Sequence, residues 1–115
     1  MKIVKLLALL TLILLLGACS DENSDPVDNE IGFAATVQPI VNANCLTCHS
    51  NPPTNYAPMS LTSYSLVKNA VQNLDLIDRI ERTAGTVGAM PASGGPLSAS
   101  DIQTIKDWQA GGFLN

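Results

Sequence analysis

Three soft metal ligands stand within five residues, in the stretch Cys45-Leu46-Thr47-Cys48-His49. His49 is the only histidine among the 115 residues. The C-x-x-C-H spacing is the pattern for covalent attachment of haem. A two-residue gap on a helical turn lets two thiols add to the two vinyl groups of one haem, and the following histidine supplies an imidazole nitrogen to the iron. The motif therefore predicts one haem c, held by Cys45 and Cys48 and ligated by His49.

The same motif is compatible with three alternatives to haem. A disulfide or redox pair of the thioredoxin type expects a strand before the motif and a βαβ context, whereas helical spacing precedes it here. A structural zinc ion takes four ligands, and the adjacent Cys48 and His49 do not easily bind the same ion. The third alternative is a chance occurrence of the spacing. Haem accounts best for all three side chains.

A haem iron ligated by His49 needs a sixth ligand, or leaves that position open. Methionine is a common partner of histidine on haem iron and raises its reduction potential. Beyond Met1 the chain offers Met59 and Met90. Met90 precedes Pro91, which favours an extended backbone, and it lies in a glycine-rich loop, so we predict Met90 as the ligand. Met59 is more consistent with packing and is the second choice.

The first residues have the pattern of an export signal. Lys2 and Lys5 are basic, the run to Leu16 is almost wholly apolar, and small residues follow. This is typical of a secretory signal, and the run is short for a bilayer, which needs about 20 apolar residues. The ending Leu16-Gly17-Ala18-Cys19 resembles the lipobox of bacterial lipoproteins, which implies a signal peptide over residues 1–18 and a lipid on Cys19. Export agrees with haem, since c-type haem is attached outside the cytoplasmic membrane.

Charge narrows the class of partner. From Cys19 onward the chain has four basic and ten acidic residues, a net charge of −6. Such a balance argues against nucleic acid, which requires a basic face, and suits a partner with a basic docking patch. Residues 19–32 are polar and acidic and are expected to form a flexible tether. The folded domain is expected over residues 33–115.

Apolar spacing in this domain is helical. Phe33, Val37 and Ile40 predict a first helix, in which Pro39 either introduces a kink or occupies the first turn. A longer run of apolar residues at helical spacing follows, and it is interrupted near Asp75. Its members are Leu66, Val67, Ala70, Val71, Leu74, Ile77 and Ile80. We expect two short helices there, with Asp75 as the N-cap of residues 76–82.

A loop and a final helix complete the pattern. Residues 84–96 include four glycines and two prolines and are expected to form a loop. Ser98 and Asp101 resemble a capping box, and Trp108 shares a face with the isoleucines that precede it. Gly111-Gly112 would end this helix. No segment shows the alternation of a strand.

Taken in order, residues 33–113 resemble a class I cytochrome c domain of the small, planctomycete type. The matching pieces are Phe33-x-x-x-Val37-x-Pro39-Ile40, the C-x-x-C-H motif, MSLTSY at 59–64, LIDRI at 76–80, Met90-Pro91 and PLSASDIQTIKDWQAGGF at 96–113. The resemblance implies an all-α fold of three to four short helices around one covalently attached haem, with His49 and Met90 as axial ligands. Ala92 departs from the Met-Pro-Pro common in the family, and the segment after His49 is rich in proline and asparagine.

The expected function is transfer of single electrons between redox partners outside the cytoplasm. The carrier would be an exported lipoprotein on a bacterial membrane, facing the periplasm or the cell surface. The alternative is a haem-based sensor or small-ligand binder with a labile sixth position. An enzyme is not expected, because a small peroxidase would lack a distal histidine.

Overall fold

The helices expected from apolar spacing are present in the computed structural model, which describes residues 30–115. They are α1 (Gln38–Asn44), α2 (Tyr64–Asn73), α3 (Leu76–Glu81) and α4 (Ala99–Ala110). This part of the chain has no β-strand, so the all-α prediction is confirmed. The expected signal peptide, Cys19 and most of the tether lie outside the described residues.

The first helix starts with a wide turn. Residues Phe33–Val37 form a π-helical turn, which closes with a bond from the N–H of Gln38 to the carbonyl of Phe33. The α-helical part follows directly, and Pro39 lies in its first turn. A proline is tolerated in the first turn of an α-helix, because its fixed φ suits the helix and the first N–H groups make no bond within the α-helical segment itself. Of the two alternatives for Pro39, a kink in the helix or a place in the first turn, the first turn is observed.

Two short helices replace one long helix in the middle of the domain, as predicted. The Ser63 hydroxyl opens α2 by accepting the N–H of Leu66 at 3.4 Å. Asp75 precedes α3, at the position expected for its N-cap, but its side chain makes no capping bond. Its backbone is left-handed, with φ 57° and ψ 30°, whereas a capping side chain normally sits on an extended backbone. The predicted side-chain cap is therefore wrong, and α3 ends at Glu81 instead of Arg82.

The final helix has the signals that its sequence suggested. The Ser98 hydroxyl accepts the N–H of Asp101 at 3.1 Å and so caps α4. Ile105 and Trp108 are buried on its inner face. Gly112 follows the helix with φ 85°, a left-handed conformation that suits glycine. Between α3 and α4 the chain has no regular structure, as predicted for the loop.

One hydrophobic cluster joins the four helices. Its buried members are Phe33, Val37, Val41, Leu61, Val67, Ala70, Val71, Leu76, Ile80, Leu97, Ile105 and Trp108. The rings of Phe33, Tyr64 and Phe113 surround Trp108, with centroids 5.5, 5.9 and 4.8 Å from it. Most of the buried residues of this cluster are aliphatic, so the aromatic group is the part of it with directional ring contacts.

The two ends of the described residues meet beside these rings. The Leu114 carbonyl accepts the Phe33 N–H at 2.8 Å and the indole N–H of Trp108 at 2.7 Å. The aromatic group and this closure lie at the start of the first helix, while the C-x-x-C-H motif follows the end of α1. No helix in residues 30–115 has the length and apolar character that spanning a bilayer requires.

Candidate functional site

The C-x-x-C-H motif forms one further turn after α1. The Cys45 N–H donates to the Val41 carbonyl at 2.8 Å. The N–H groups of Cys48 and His49 both donate to the Cys45 carbonyl, at 3.2 and 2.9 Å. Residues three and four apart on a helical turn lie on one face. The turn therefore brings Cys45, Cys48 and His49 together, the arrangement expected from their spacing.

His49 is oriented by a backbone carbonyl. Its side chain is buried, with 8% of the residue exposed, and its Nδ1 lies 2.9 Å from the Met59 carbonyl oxygen. Because a carbonyl only accepts, Nδ1 carries the proton and donates it. Nε2 is then left with its lone pair available to a metal, and a bond of this kind fixes the ring of a metal-binding histidine.

Both cysteines of the motif are free thiols, and each is half-buried. Burial raises the pKa of Cys45 from 9.0 to about 11, so at neutral pH it stays a thiol. A protonated thiol is a poor nucleophile and is not readily oxidised. Cys48 accepts a weak bond from the Asn55 amide at 3.5 Å.

The proline- and asparagine-rich segment after His49 folds back onto the motif. Thr54 makes two bonds to it: its N–H donates to the Cys48 carbonyl and its hydroxyl to the Thr47 carbonyl, both at 2.8 Å. Asn55 and Tyr56 are left-handed, with φ 50° and 61°. The backbone of this segment thus encloses the turn, and the Tyr56 side chain extends fully into solvent.

The two candidate methionines have different environments. Both are partly buried and, like Cys45, pack against the same hydrophobic cluster. The backbone of Met59 lies behind the His49 imidazole, on its Nδ1 side. The backbone of Met90 is instead held by α3, because its N–H donates to the Arg79 carbonyl at 2.9 Å.

The sequence did not predict the contact of the Met59 carbonyl with His49. Every residue has a backbone carbonyl, so no residue type signals such a contact in advance. The sequence showed only that Met59 follows Pro58 and lies ten residues after the histidine.

These residues fit a covalently bound haem. Two reduced thiols lie on one helical turn beside an imidazole whose Nε2 is free, and the three groups are the donor set of a c-type haem. Cys45 and Cys48 would hold the ring, and His49 would bind the iron.

Comparison with known proteins finds a similar cytochrome. The chain is 34% identical over 70 residues to cytochrome c6 of Microcystis aeruginosa. The aligned region covers 60% of this chain and 84% of that protein. No family model matches the chain, and no solved structure matches it. Since most of a cytochrome aligns with a helical chain that has the C-x-x-C-H turn, this protein belongs to the class I c-type cytochromes, all-α electron carriers with covalently attached haem c.

Proposed function

We propose that this cytochrome is a monohaem carrier whose haem is held by thioethers from Cys45 and Cys48, with His49 and Met90 as axial ligands. When bound, the haem supplies a one-electron couple at its iron. The polypeptide fixes the position of the ring and shields it with the hydrophobic cluster. It also orients His49 through the Met59 carbonyl, which makes the imidazole a stronger ligand.

The hydrogen bond between His49 and the Met59 carbonyl is the observation that favours Met90 over Met59 as the sixth ligand. Nδ1 and Nε2 lie on opposite sides of the imidazole ring, so a metal at Nε2 would be separated from the Met59 backbone by the ring itself. The sixth position on such an iron would therefore need a side chain from another part of the chain. Met90 is fastened to a different element, α3, and therefore suits that position better than Met59, which stays the second choice.

Spectra of two alanine variants of the holoprotein test this assignment. Met90→Ala is expected to abolish the weak far-red absorption of a ferric iron–sulfur bond and to lower the reduction potential. Met59→Ala is the matched control and should keep the band, because its backbone carbonyl remains. Loss of the band in Met59→Ala alone would reverse the assignment. A wild-type ferric protein that is high-spin would instead favour the haem-based sensor with an open sixth position.

We further propose that the carrier is an exported lipoprotein, cleaved after residue 18 and anchored by lipid on Cys19. Residues 19–32 would tether the domain at 33–115 to a bacterial membrane, facing the periplasm or the cell surface. The Leu-Gly-Ala-Cys sequence supports this. In cell fractionation, wild-type protein should sediment with membranes, whereas Cys19→Ser should not. Lipid labelling should likewise mark wild type and not Cys19→Ser, and equal labelling of both would reject the anchor.

A redox protein with a basic docking patch is the proposed partner. Half of the acidic residues lie at positions 21–30, in or beside the expected tether. Residues 31–67 and 83–100, which include the motif and both methionines, have no Asp, Glu, Lys or Arg. The tether would thus attract the basic patch, while the contact at the haem would be uncharged. Electron-transfer rates should fall as salt rises, and a rate that salt leaves unchanged would argue against a basic patch.

A further inference from the structure

The loop that carries Met90 is bonded to one face of α3. The Met90 N–H donates to the Arg79 carbonyl at 2.9 Å. Three residues earlier, the Val87 carbonyl accepts Nη1 of Arg82 at 2.9 Å. Between these bonds Ala89 is buried, although the Val87 side chain is almost fully exposed. A third, longer bond runs from Nη1 of Arg79 to the Gly88 carbonyl at 3.5 Å. Three hydrogen bonds and one small apolar anchor therefore hold the segment that leads into the methionine.

Arg82, which directly follows α3, is itself fixed by a residue of that helix. Its Nε donates to Oδ2 of Asp78 at 2.9 Å, and its Nη2 donates to the same oxygen. Asp78 lies one turn earlier, and the pair is exposed, so by itself it adds little to the free energy of unfolding. Its effect is geometric: with Nε and Nη2 engaged, the planar guanidinium directs Nη1 at the Val87 carbonyl.

Gly88 allows the loop to approach this guanidinium. A Cβ at position 88 would lie 2.3 Å from Nη1 of Arg82 and 3.3 Å from Nη1 of Arg79. The backbone there has φ +78°, which also favours glycine. Gly85 is a natural comparison, because it has φ +83° but no atom within 4 Å of a built Cβ. The close approach is thus particular to Gly88, and any larger residue would displace the arginine.

We propose that Asp78, Arg82 and Gly88 form a latch that positions the Met90 loop and sets how readily Met90 leaves the iron. The inference rests on the proposed function, in which Met90 is the sixth ligand. All three are positioning residues that act through the loop backbone. When the latch opens, the bond to Val87 is lost while the bonds of the loop to Arg79 remain. The loop is then held less firmly against α3, and competing ligands reach the iron more easily.

Titration of the ferric holoprotein with imidazole, a competitor for the sixth position, tests the latch. Arg82→Met keeps the length of the side chain but removes its donors. We expect imidazole to bind about fivefold more tightly, the equivalent of losing one hydrogen bond. Lys106→Met is the matched control, because it breaks the other exposed ion pair of α3, Lys106 with Glu81 at 2.6 Å, away from the loop. Its imidazole affinity should equal that of wild type.

A pair of glycine variants separates the latch from backbone strain. Gly88→Ala combines a positive φ with displacement of Arg82, whereas Gly85→Ala has the positive φ alone. Both should lower the midpoint of chemical unfolding, but only Gly88→Ala should strengthen imidazole binding. In the double variant Arg82→Met/Gly88→Ala the clash with Arg82 is absent and only the 3.3 Å approach to Nη1 of Arg79 remains, so its imidazole affinity should resemble that of Arg82→Met.

The outcomes distinguish the latch from the ligand assignment. If wild-type ferric protein lacks the far-red iron–sulfur band, Met90 is not the ligand and both proposals fail. If the band is present but Arg82→Met and Gly88→Ala bind imidazole like their controls, the latch alone is refuted. The latch is supported if the far-red band is present and Arg82→Met and Gly88→Ala both bind imidazole more tightly than their control variants.

Discussion

Two tyrosines show how differently one residue type is used in this small domain. The Tyr64 hydroxyl donates to the Phe113 carbonyl at 2.7 Å, and its ring contacts those of Phe33 and Trp108. Tyr56, on the loop beside the cysteines, is fully exposed. The first therefore stabilises the contact between Phe33 and the C-terminal residues, whereas the second is free to contact other molecules.

Removing one hydroxyl at a time tests this difference. Tyr64→Phe should lower the free energy of unfolding by about 1 kcal/mol, the usual net value of one hydrogen bond. The second bond of this hydroxyl, which it accepts from Nζ of Lys68 at 3.4 Å, is long and adds little. Tyr56→Phe, the same chemical change on an exposed side chain, should leave it unchanged. Chemical denaturation of the holoproteins measures both values. Equal losses in the two variants would show that the bond to Phe113 does not stabilise the fold.

At this scale the sequence predicted what lies within one helical turn and missed what depends on folding. Cys45, Cys48 and His49 come together because their spacing alone places them on one face. The Met59 carbonyl could not be anticipated, since a loop ten residues long must first fold back. The approach of Arg82 to Gly88 likewise depends on the path of a loop that residue types describe only as irregular.

Among the helices, the residues that precede α3 and α4 show when a capping residue in the sequence does and does not form a cap. Ser98 caps α4 with its side chain, as serine does before many helices. Asp75 belongs to the same class of capping residues, yet its left-handed backbone leaves its side chain without a capping bond. The short turn between α2 and α3 imposes that conformation, and residue type alone gives no sign of it.

Substitutions at the residues that precede α3 and α4 should affect stability differently. Ser98→Ala should lower the free energy of unfolding by about 1 kcal/mol, because an N–H of the first turn of α4 loses its acceptor. Asp75→Gly should leave it unchanged or raise it, since glycine adopts positive φ without the steric cost of a side chain. Thermal or denaturant unfolding followed by circular dichroism measures both. A loss in Asp75→Gly as large as in Ser98→Ala would indicate an unseen capping role.

Helix boundaries were predictable where glycine, proline or a capping residue marked them. The break between α2 and α3 and the end of α4 at the glycine pair were both expected. The π-helical turn at Phe33–Val37 was not, because its bond differs by only one residue from an α-helical one and leaves the apolar pattern almost unchanged.

In the whole molecule, the hydrophobic cluster is small for a stable fold. A domain of this size buries a modest fraction of its surface and is only marginally stable by itself. Its buried residues are mostly aliphatic, and its directional ring contacts are confined to one end. The haem would add a large flat apolar surface for the four helices to pack against.

Loss of haem should therefore unfold much of the domain. Cys45→Ala/Cys48→Ala, which cannot form thioethers, should have far less helical circular dichroism than the holoprotein. Met90→Ala is the control, because it changes an axial ligand but keeps the covalent attachment, and it should stay largely helical. Native helicity in the double variant would mean that the polypeptide folds without its cofactor.

The meeting of the two ends of residues 32–115 has a consequence for engineering. Phe33 is bonded to Leu114, and Gly32 lies against the backbone of Asn115. Neighbouring ends are the condition under which a domain tolerates insertion into a host protein or circular permutation. A few residues would suffice to link them, new ends could be opened in an exposed loop, and the whole haem-binding domain could be inserted between two elements of an unrelated scaffold as an electron-conducting module.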